Sequence, residues 1–207
     1  MMEVKMLSGL LDIVKDGQEV SEKEAYDLLL QFVGYKIGAE EGMPSPTLRY
    51  KVWQDLEDRL DLGVLLTDPW DWFGELYKER VFNKFQPFMG TRSAAAHLIT
   101  KLSADTSRPK GEIVTMYDPI VGSGRMFIAT HAAVGDHFLY YGCEPELTAY
   151  RTCLVNMKLY KINAKILHAD ERIYSSDIKS KNWKYANWWT PPDSKKHFER
   201  RTTTAAN

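Results

Sequence analysis

The fold class follows from one stretch of the chain, Tyr117-Asp118-Pro119-Ile120-Val121-Gly122-Ser123-Gly124-Arg125-Met126. A short β-rich run over residues 113–117 leads into it, and an apolar run through residue 132 follows it. The two glycines allow a tight turn and a close approach of the backbone to a ligand. The stretch therefore predicts a strand, a glycine loop and a helix whose first N–H groups face an anionic group.

The same alternation continues on the C-terminal side of the glycine loop. Residues 137–141 form a second β-rich run that ends at Gly142-Cys143-Glu144, and Pro145 opens a helical run to residue 159. Residues 164–168 form a third run, which ends at Ala169-Asp170. Strands and helices at this spacing predict an α/β fold with a doubly wound parallel sheet. In such sheets, ligands bind beyond the carboxyl ends of the strands.

The N-terminal part carries helical rather than strand periodicity. Ser21 and Glu24 form the signature of a capping box ahead of one apolar helix. An apolar stripe over residues 48–60 predicts a second helix. Asp68 and Pro69 have the residue types of an N-cap and first helical position, which predicts a third helix running towards residue 82.

Two regions follow from this change of pattern, a helical N-terminal region over residues 1–85 and an α/β domain over residues 86–207. A chain of 207 residues, with 44% hydrophobic residues and a net charge of -1, is neither disordered nor a strongly basic coat protein. Two cysteines are too few for a zinc cluster, and the five histidines show no metal-ligand spacing. We therefore expect no metal, and reduced thiols.

The chain has no apolar run of the roughly 20 residues that span a bilayer. Residues 1–14 include Glu3 and Asp12, which is unlike a signal peptide. We therefore expect a cytoplasmic protein with no membrane partner.

Charge is distributed unevenly along the chain. Residues 1–80 hold 9 Lys/Arg and 17 Asp/Glu, whereas residues 81–207 hold 18 and 11. A positive face on the C-terminal part would attract a phosphate-rich partner such as DNA. An ordinary solvated surface explains the same counts, so both interpretations stay open.

Three polar features follow the three predicted strands. They are Asp118 with the glycine loop, Glu144, and Asp170. At the end of a second strand, an acidic residue such as Glu144 is placed to accept both ribose hydroxyls, and Asp170 has an acceptor for an exocyclic amine. Together they predict an adenosine pocket, although each alone is also typical of a tight turn or a solvated carboxylate.

Two common nucleotide-binding loops are excluded by the residues around Gly124. The third glycine of a dinucleotide fold is absent, since Met126-Phe127 occupies that stretch. No Gly-Lys-Ser/Thr follows the loop, so it is not a phosphate-binding loop of the Walker type.

Residues 118–126 resemble the D-P-x-x-G-S-G-x-hydrophobic motif of S-adenosylmethionine-dependent adenine-N6 DNA methyltransferases, most closely the modification subunits of type I restriction systems. Residues 88–91 are similar to the family's F-x-T-P segment, with Arg92 in place of the proline. Residues 142–144 resemble its G-x-E, Asn156 falls near its helix asparagine, and residues 168–170 resemble its G-D element. The resemblance implies S-adenosylmethionine as cofactor, DNA as partner and methyl transfer to a flipped-out adenine.

The resemblance also implies roles for individual residues. Asp118 and Gly122 would hold the methionine moiety, Glu144 the ribose and Asp170 the adenine amine. Phe88 and Thr91 would line the pocket. The full set of implied cofactor-binding residues is Phe88, Thr91, Asp118, Pro119, Gly122, Ser123, Gly124, Glu144 and Asp170.

The segment that corresponds to the family's catalytic N-P-P-F/Y motif is altered. Here residues 185–193 read Y-A-N-W-W-T-P-P-D. If Asn187 is the catalytic asparagine, three residues separate it from Pro191 and Pro192; if residues 190–193 fill the slot, the asparagine and the aromatic are both missing. The resemblance implies Asn187, Trp188, Pro191 and Pro192 as catalytic candidates. The alternative is a non-catalytic methyltransferase-like module for DNA binding or assembly.

The length of the segment after the altered motif predicts whether the sheet is complete and whether a partner subunit is needed. Only 15 residues follow Pro192, whereas sheets of this family continue for further strands, so we expect an incomplete sheet. Another protein subunit would then supply target recognition or complete the sheet. Trp188 and Trp189 would either stack on a base or cover an open sheet edge.

Overall fold

A computed structural model describes residues 2–39, 43–82, 114–135, 138–168 and 187–189. The helical part consists of α1 (Met2–Gln18), α2 (Glu22–Lys36), α3 (Tyr50–Arg59), α4 (Leu62–Thr67) and α5 (Trp72–Leu76), with a π-helical turn over Tyr77–Val81. The α/β part consists of β1 (Val114–Asp118), α6 (Arg125–Val134), β2 (Phe138–Glu144), α7 (Leu147–Leu159), β3 (Ala164–His168) and β4 (Asn187–Trp189).

The four strands form one sheet in the order β1-β2-β3-β4. The first three are parallel, with Asp118 opposite Gly142 and Glu144 opposite His168. β4 runs antiparallel to β3 at the outer edge of the sheet. The predicted α/β fold with a helical N-terminal region is confirmed, and the carboxyl ends of the three parallel strands meet at one edge.

The predicted start of α2 is confirmed, whereas two other predicted helix starts are wrong. The capping box on α2 is present, because Ser21 Oγ accepts from Glu24 N and Glu24 Oε2 accepts from Ser21 N. The prediction that Asp68 caps the third helix is wrong: α5 is capped by Asp71, whose Oδ1 accepts from Gly74 N at 3.0 Å. Residues 68–70 form the connection into α5, where the Asp68 carbonyl accepts from the Trp72 indole.

The helix after β2 also starts later than predicted. Pro145 lies before it, and Glu146 is the N-cap, with its carboxylate accepting from Ala149 N at 2.6 Å. A carboxylate that can accept this bond satisfies a free N–H of the first turn, which proline cannot do.

One apolar core runs from the helical region into the helix-covered face of the sheet. Its largest fully buried side chains include Tyr26, Phe32 and Phe73 from the first part and Phe127 and Tyr140 from the second. The buried Tyr26 hydroxyl donates to the Phe73 carbonyl at 3.0 Å and lies 3.0 Å from Thr152 Oγ1 on α7. The helical region therefore packs directly against the α/β part.

The other face of the sheet carries a smaller cluster. It is built on Cys143 and Leu167, with Tyr117 and Tyr141 packed against them. Cys143 is a free, fully buried thiol, and burial raises its pKa. Cys143 is therefore a packing residue of this face of the sheet.

No helix within the described ranges is long and apolar enough to cross a membrane. The same ranges contain no group of His, Cys, Asp and Glu arranged to hold a metal ion.

Candidate functional site

The glycine loop connects β1 to α6 at the carboxyl edge of the sheet. Val121 N donates to the Cys143 carbonyl at 2.9 Å, which fastens the loop to the end of β2. Gly124 N donates to the Val121 carbonyl at 3.0 Å and closes the turn. Gly122 and Gly124 have φ values of +57° and +84°, so both adopt the left-handed conformation that glycine accommodates best.

The two glycines meet different surroundings. A Cβ at residue 124 would lie 2.6 Å from Met157 Cε and 2.9 Å from Cys153 Sγ, so Gly124 lets the loop pack closely on α7. A Cβ at residue 122 would meet no atom of the described residues within 4 Å. Among the described residues the space next to Gly122 is therefore open, and a ligand can approach the loop there.

Glu144 fastens the loop at the end of β2. Its side chain is buried, its Oε2 accepts from Gly122 N at 2.9 Å, and its Oε1 accepts from Glu146 N at 2.9 Å. Burial raises the pKa of Glu144, the two backbone hydrogen bonds oppose that rise, and the charges of Glu146 and Asp118 add to it. Glu144 thus shapes the loop as well as facing the site.

Asp118 ends β1 beside Glu144. Its Oδ1 accepts from Ile120 N at 3.0 Å, and burial raises the pKa of this carboxyl too. Within the described part of the chain, no ion pair involves Asp118 or Glu144. Within the described residues, these two carboxylates have no cationic partner and lie beside open space. Such an arrangement suits a ligand that carries positive charge and hydrogen-bond donors.

A fully buried carboxylate lies on the inner side of the same loop, and sequence analysis missed it. Asp71 Oδ2 accepts from Ser123 Oγ and from Arg125 Nε, the latter at 3.0 Å. Its Oδ1 accepts from Gly74 N at 3.0 Å and from Asn156 Nδ2 at 2.8 Å. Burial raises the pKa of Asp71, and these four donors act in the opposite direction.

The partners of Asp71 are themselves tied to the loop and to the helical region. Asn156 Nδ2 also donates to the Ser123 carbonyl at 2.9 Å. Arg125 forms a second ion pair with Glu75 at 2.8 Å, and its guanidinium lies 5.1 Å from the centre of the Trp70 ring. The signal in the sequence was Arg125 itself, because an arginine that starts an otherwise apolar helix needs a buried acid.

The structure brings together part of the predicted site. Asp118, Gly122, Ser123, Gly124 and Glu144 lie at the carboxyl ends of β1 and β2. Pro119 is exposed in the same loop. The remaining predicted residues Phe88, Thr91, Asp170, Pro191 and Pro192 lie outside the described residues.

Asn187 and Trp188 belong to β4, of which the structure describes the backbone. Asn187 pairs with Ile166, which pairs with Gly142, which pairs with Asp118. With neighbouring strands about 4.8 Å apart, three steps place the Asn187 backbone about 14 Å from that of Asp118. The structure therefore separates β4 from the glycine loop, and the segment pairs with the edge of β3.

Comparison with known proteins gives one family and two solved structures. Residues 70–199 match the family described as N-6 DNA Methylase. A protein of Listeria monocytogenes assigned to the class I S-adenosylmethionine-dependent methyltransferases is similar in structure, with a TM-score of 0.60 and 13% identity. That match covers 82% of this chain and 52% of that one.

The second solved structure is the type I restriction-modification methyltransferase subunit from Streptococcus thermophilus, with a TM-score of 0.48 and 18% identity. It covers 84% of this chain and 41% of that one. The chain therefore spans about half the length of the solved proteins that it resembles. No curated protein matches.

The similarity to the Listeria protein supports the fold, and the family match rests on the sequence itself. That match starts at residue 70, next to Asp71, and includes the glycine loop, Glu144 and the altered segment of residues 185–193. Because it covers more than half of the 207 residues, the chain belongs to the N-6 DNA methylase family.

Proposed function

We propose that this chain binds S-adenosylmethionine and is the cofactor-binding part of an adenine-N6 DNA methyltransferase like the modification subunits of type I restriction systems. The observation that carries the proposal is the glycine loop, with open space at Gly122 and the carboxylates of Asp118 and Glu144 beside it. Membership of the N-6 DNA methylase family supports adenine in DNA as the substrate. The compartment we propose is the cytoplasm.

The residues of the loop fit the chemical groups of this cofactor. Asp118 and Gly122 would bind the methionine part, and Glu144 would accept from the ribose hydroxyls. Each oxygen of Glu144 accepts one backbone N–H, and a carboxylate oxygen has a second lone pair for another donor. Asp170, Phe88 and Thr91 complete the proposed pocket from the resemblance.

Charge supports the same assignment. S-adenosylmethionine supplies an activated methyl group on a positively charged sulfonium. Asp118 and Glu144 lack a cationic partner within the described ranges, so their negative charge would stabilise a cationic ligand. The start of α6 lies next to the loop, and the backbone N–H groups in the first turn of a helix favour an anionic group such as the ligand's carboxylate.

For the methyl transfer itself we propose Asn187, Pro191, Pro192 and Trp188. By resemblance, an asparagine side chain and a backbone carbonyl accept from the adenine amine, and an aromatic ring stacks on the flipped-out base. Holding the amine in line with the methyl group would supply most of the acceleration, as expected for a reaction without a covalent intermediate.

A second candidate is a non-catalytic relative that binds DNA or assembles with another subunit. The position of β4 favours it, since the Asn187 backbone lies about 14 Å from that of Asp118 across the sheet. The altered order of residues 185–193 supports it as well. Another protein subunit would then supply target recognition, or strands that complete the sheet.

Calorimetric titration with S-adenosylmethionine tests the cofactor site. We expect saturable binding to the full chain and its loss in Asp118→Ala and Glu144→Ala. Asp58→Ala is the matched control, because it removes an exposed carboxylate from α3 and should leave binding unchanged. A folded chain that does not bind, or equal binding by all variants, contradicts the proposed cofactor site.

Transfer of a labelled methyl group to DNA separates the two candidates. If the chain is an enzyme, we expect labelled N6-methyladenine in the DNA. Asn187→Ala should then abolish the methyl transfer and leave cofactor binding intact. Cofactor binding without transfer, in the presence of mixed-sequence DNA and with the chain folded, supports the non-catalytic module.

A further inference from the structure

We propose that Asp71, a residue of the helical region, is the positioning residue that holds the glycine loop in the shape that receives the ligand. The identity of the ligand rests on the function proposed above. The geometry of Asp71 does not, since every contact involved lies within the chain.

Asp71 holds the loop at Ser123 in two ways. The Ser123 hydroxyl donates directly to Asp71 Oδ2. The Ser123 carbonyl accepts from Asn156 Nδ2 at 2.9 Å, and that same nitrogen donates to Asp71 Oδ1 at 2.8 Å. Ser123 lies between Gly122 and Gly124, both of which have left-handed φ. Fixing the hydroxyl and the carbonyl of Ser123 therefore limits the conformations open to the whole loop.

The position of Asp71 is itself strongly determined. It caps α5 through Gly74 N, and a Cβ at residue 74 would overlap with its carboxylate, so close approach requires glycine there. Arg125 pairs with it at 3.0 Å, and the side chains of both residues are almost completely buried. A side chain fixed by its own packing and hydrogen bonds can hold a binding loop rigidly.

The hydrogen bonds of Asp71 also separate positioning from ligand binding. A carboxylate offers about four lone-pair sites. Gly74 N and Asn156 Nδ2 use those of Oδ1, and Ser123 Oγ and Arg125 Nε use those of Oδ2. The residue has no exposed surface. Asp71 therefore has no acceptor left for a ligand and acts through Ser123.

Replacing Asp71 with asparagine would keep the shape of the side chain but change the hydrogen bonds that it can form. One of the two oxygens becomes an NH2 group, which faces donors on either side. At least one of the contacts to Arg125, Ser123, Gly74 or Asn156 is then lost. A displacement of the loop by a fraction of an ångström weakens binding of a ligand that contacts its backbone.

The test compares S-adenosylmethionine affinity with stability. We expect Asp71→Asn to raise the calorimetric Kd by about ten- to a hundredfold. The double variant Asp71→Asn, Arg125→Met also removes the buried cation that faces residue 71, so its melting temperature should recover while the Kd stays high. Asp61→Asn is the matched control, because Asp61 caps α4 through Gly63 N without touching the loop. A Kd that returns to the wild-type value with the melting temperature would overturn the proposal.

Hydrogen exchange of the ligand-free protein gives a second readout. In Asp71→Asn the amides of residues 120–126 should exchange several-fold faster than in the wild type, and in Asp61→Asn they should not. Ser123→Ala removes the direct link but keeps the Asp71–Arg125 pair and the cap of α5. It should accelerate the same amides even if Asp71→Asn fails to fold.

The two readouts distinguish the possible failures. If the wild-type chain binds no S-adenosylmethionine, the proposed function fails, and exchange alone decides the role of Asp71. Unchanged exchange of residues 120–126 in a folded Asp71→Asn variant and in Ser123→Ala overturns the positioning role, whatever the ligand.

Discussion

The glycine loop is held from two sides that use the same chemical group in different surroundings. On the inner side, the Asp71 carboxylate is fully buried and paired with Arg125. On the outer side, the Glu144 carboxylate accepts two backbone N–H groups and has Asp118 as a charged neighbour. The inner charge is neutralised by the protein, whereas the outer charges have no cationic partner in the described part of the chain.

This difference separates support from binding. A neutralised, fully hydrogen-bonded carboxylate contributes order and has nothing to offer a ligand. Carboxylates held close together without a cation are unfavourable for the protein alone and favourable once a cationic ligand arrives. The inner side therefore fixes the loop, and the outer side is where we propose that the ligand binds.

The largest effect on stability should come from the inner side. Asp71→Ala removes one of the two acids that pair with buried Arg125 among the described residues, together with the cap of α5. This should cost about 3–5 kcal/mol of unfolding free energy. Urea denaturation of the variant and the wild type measures this loss. Glu144→Ala is the comparison and should cost clearly less, because Glu144 forms no ion pair with any residue that the structure describes. Equal losses in the two variants would contradict the distinction between the two sides.

Substitutions of the two glycines should show the same distinction between support of the loop and ligand binding. Gly124→Ala meets both the positive φ and the overlap with Met157 and Cys153, so we expect a loss of about 2–4 kcal/mol. Gly122→Ala meets the positive φ alone, at about 1–2 kcal/mol, but its methyl group would enter the open space. Denaturation should show that Gly124→Ala is the less stable of the two variants. Titration should show weakened binding in Gly122→Ala, although this variant is the more stable one.

The charges of the outer side predict a pH dependence of S-adenosylmethionine binding. Burial raises the pKa values of Asp118 and Glu144 above their ordinary 3.8 and 4.5, so both carboxyls take up protons at a higher pH than exposed ones. Affinity should fall as the pH drops through these raised pKa values, by up to about tenfold per pH unit for each proton taken up. Titrations from about pH 8 down to about pH 5 measure this, and Asp118→Asn should flatten the profile.

The stability of the ligand-free chain should respond with the opposite sign. A raised pKa in the folded state means that the folded chain binds the proton more tightly than the unfolded chain. The stabilisation from Asp118 and Glu144 is therefore complete below their ordinary pKa values and is lost as the pH rises through the raised ones. If the affinity for S-adenosylmethionine instead increased on acidification, the charge that favours binding could not be that of Asp118 and Glu144.

The smallest loss of stability should come from removing an exposed helix N-cap. This loss is the reference for removal of the buried N-cap Asp71. Ser21 caps α2 through a capping box on the surface. Ser21→Ala should lower the unfolding free energy by about 1 kcal/mol, because water replaces the lost hydrogen bonds. A loss as large as that of Asp71→Ala would mean that burial of the cap contributes little.

Much of the fold could be predicted because its signals are local. The β-rich runs, the glycines at 122 and 124 and the capping box at Ser21 each depend on residues close together in the chain. The parallel strands β1, β2 and β3 each begin within one residue of the predicted runs. The start of α5 was misplaced because Asp68 and Asp71 both have the residue type of an N-cap, and the choice depends on tertiary contacts.

The site was predictable only where it follows the strands. Asp118 and Glu144 end β1 and β2, so the periodicity located them. Asp71 lies 52 residues before Ser123 and 85 before Asn156, and no local pattern connects these positions. The placement of residues 187–189 beside β3 is likewise a pairing between distant segments, which single-sequence periodicity does not encode.

The buried pair of Asp71 and Arg125 also constrains how this fold can be recombined. Each residue neutralises a charge that would be costly to bury alone, and they come from the helical region and the α/β part. An exchange of helical regions between relatives would succeed only if acid and base were inherited together. The boundary for a functional chimera therefore lies before residue 71, inside the helical region, rather than where the pattern changes from helices to strands.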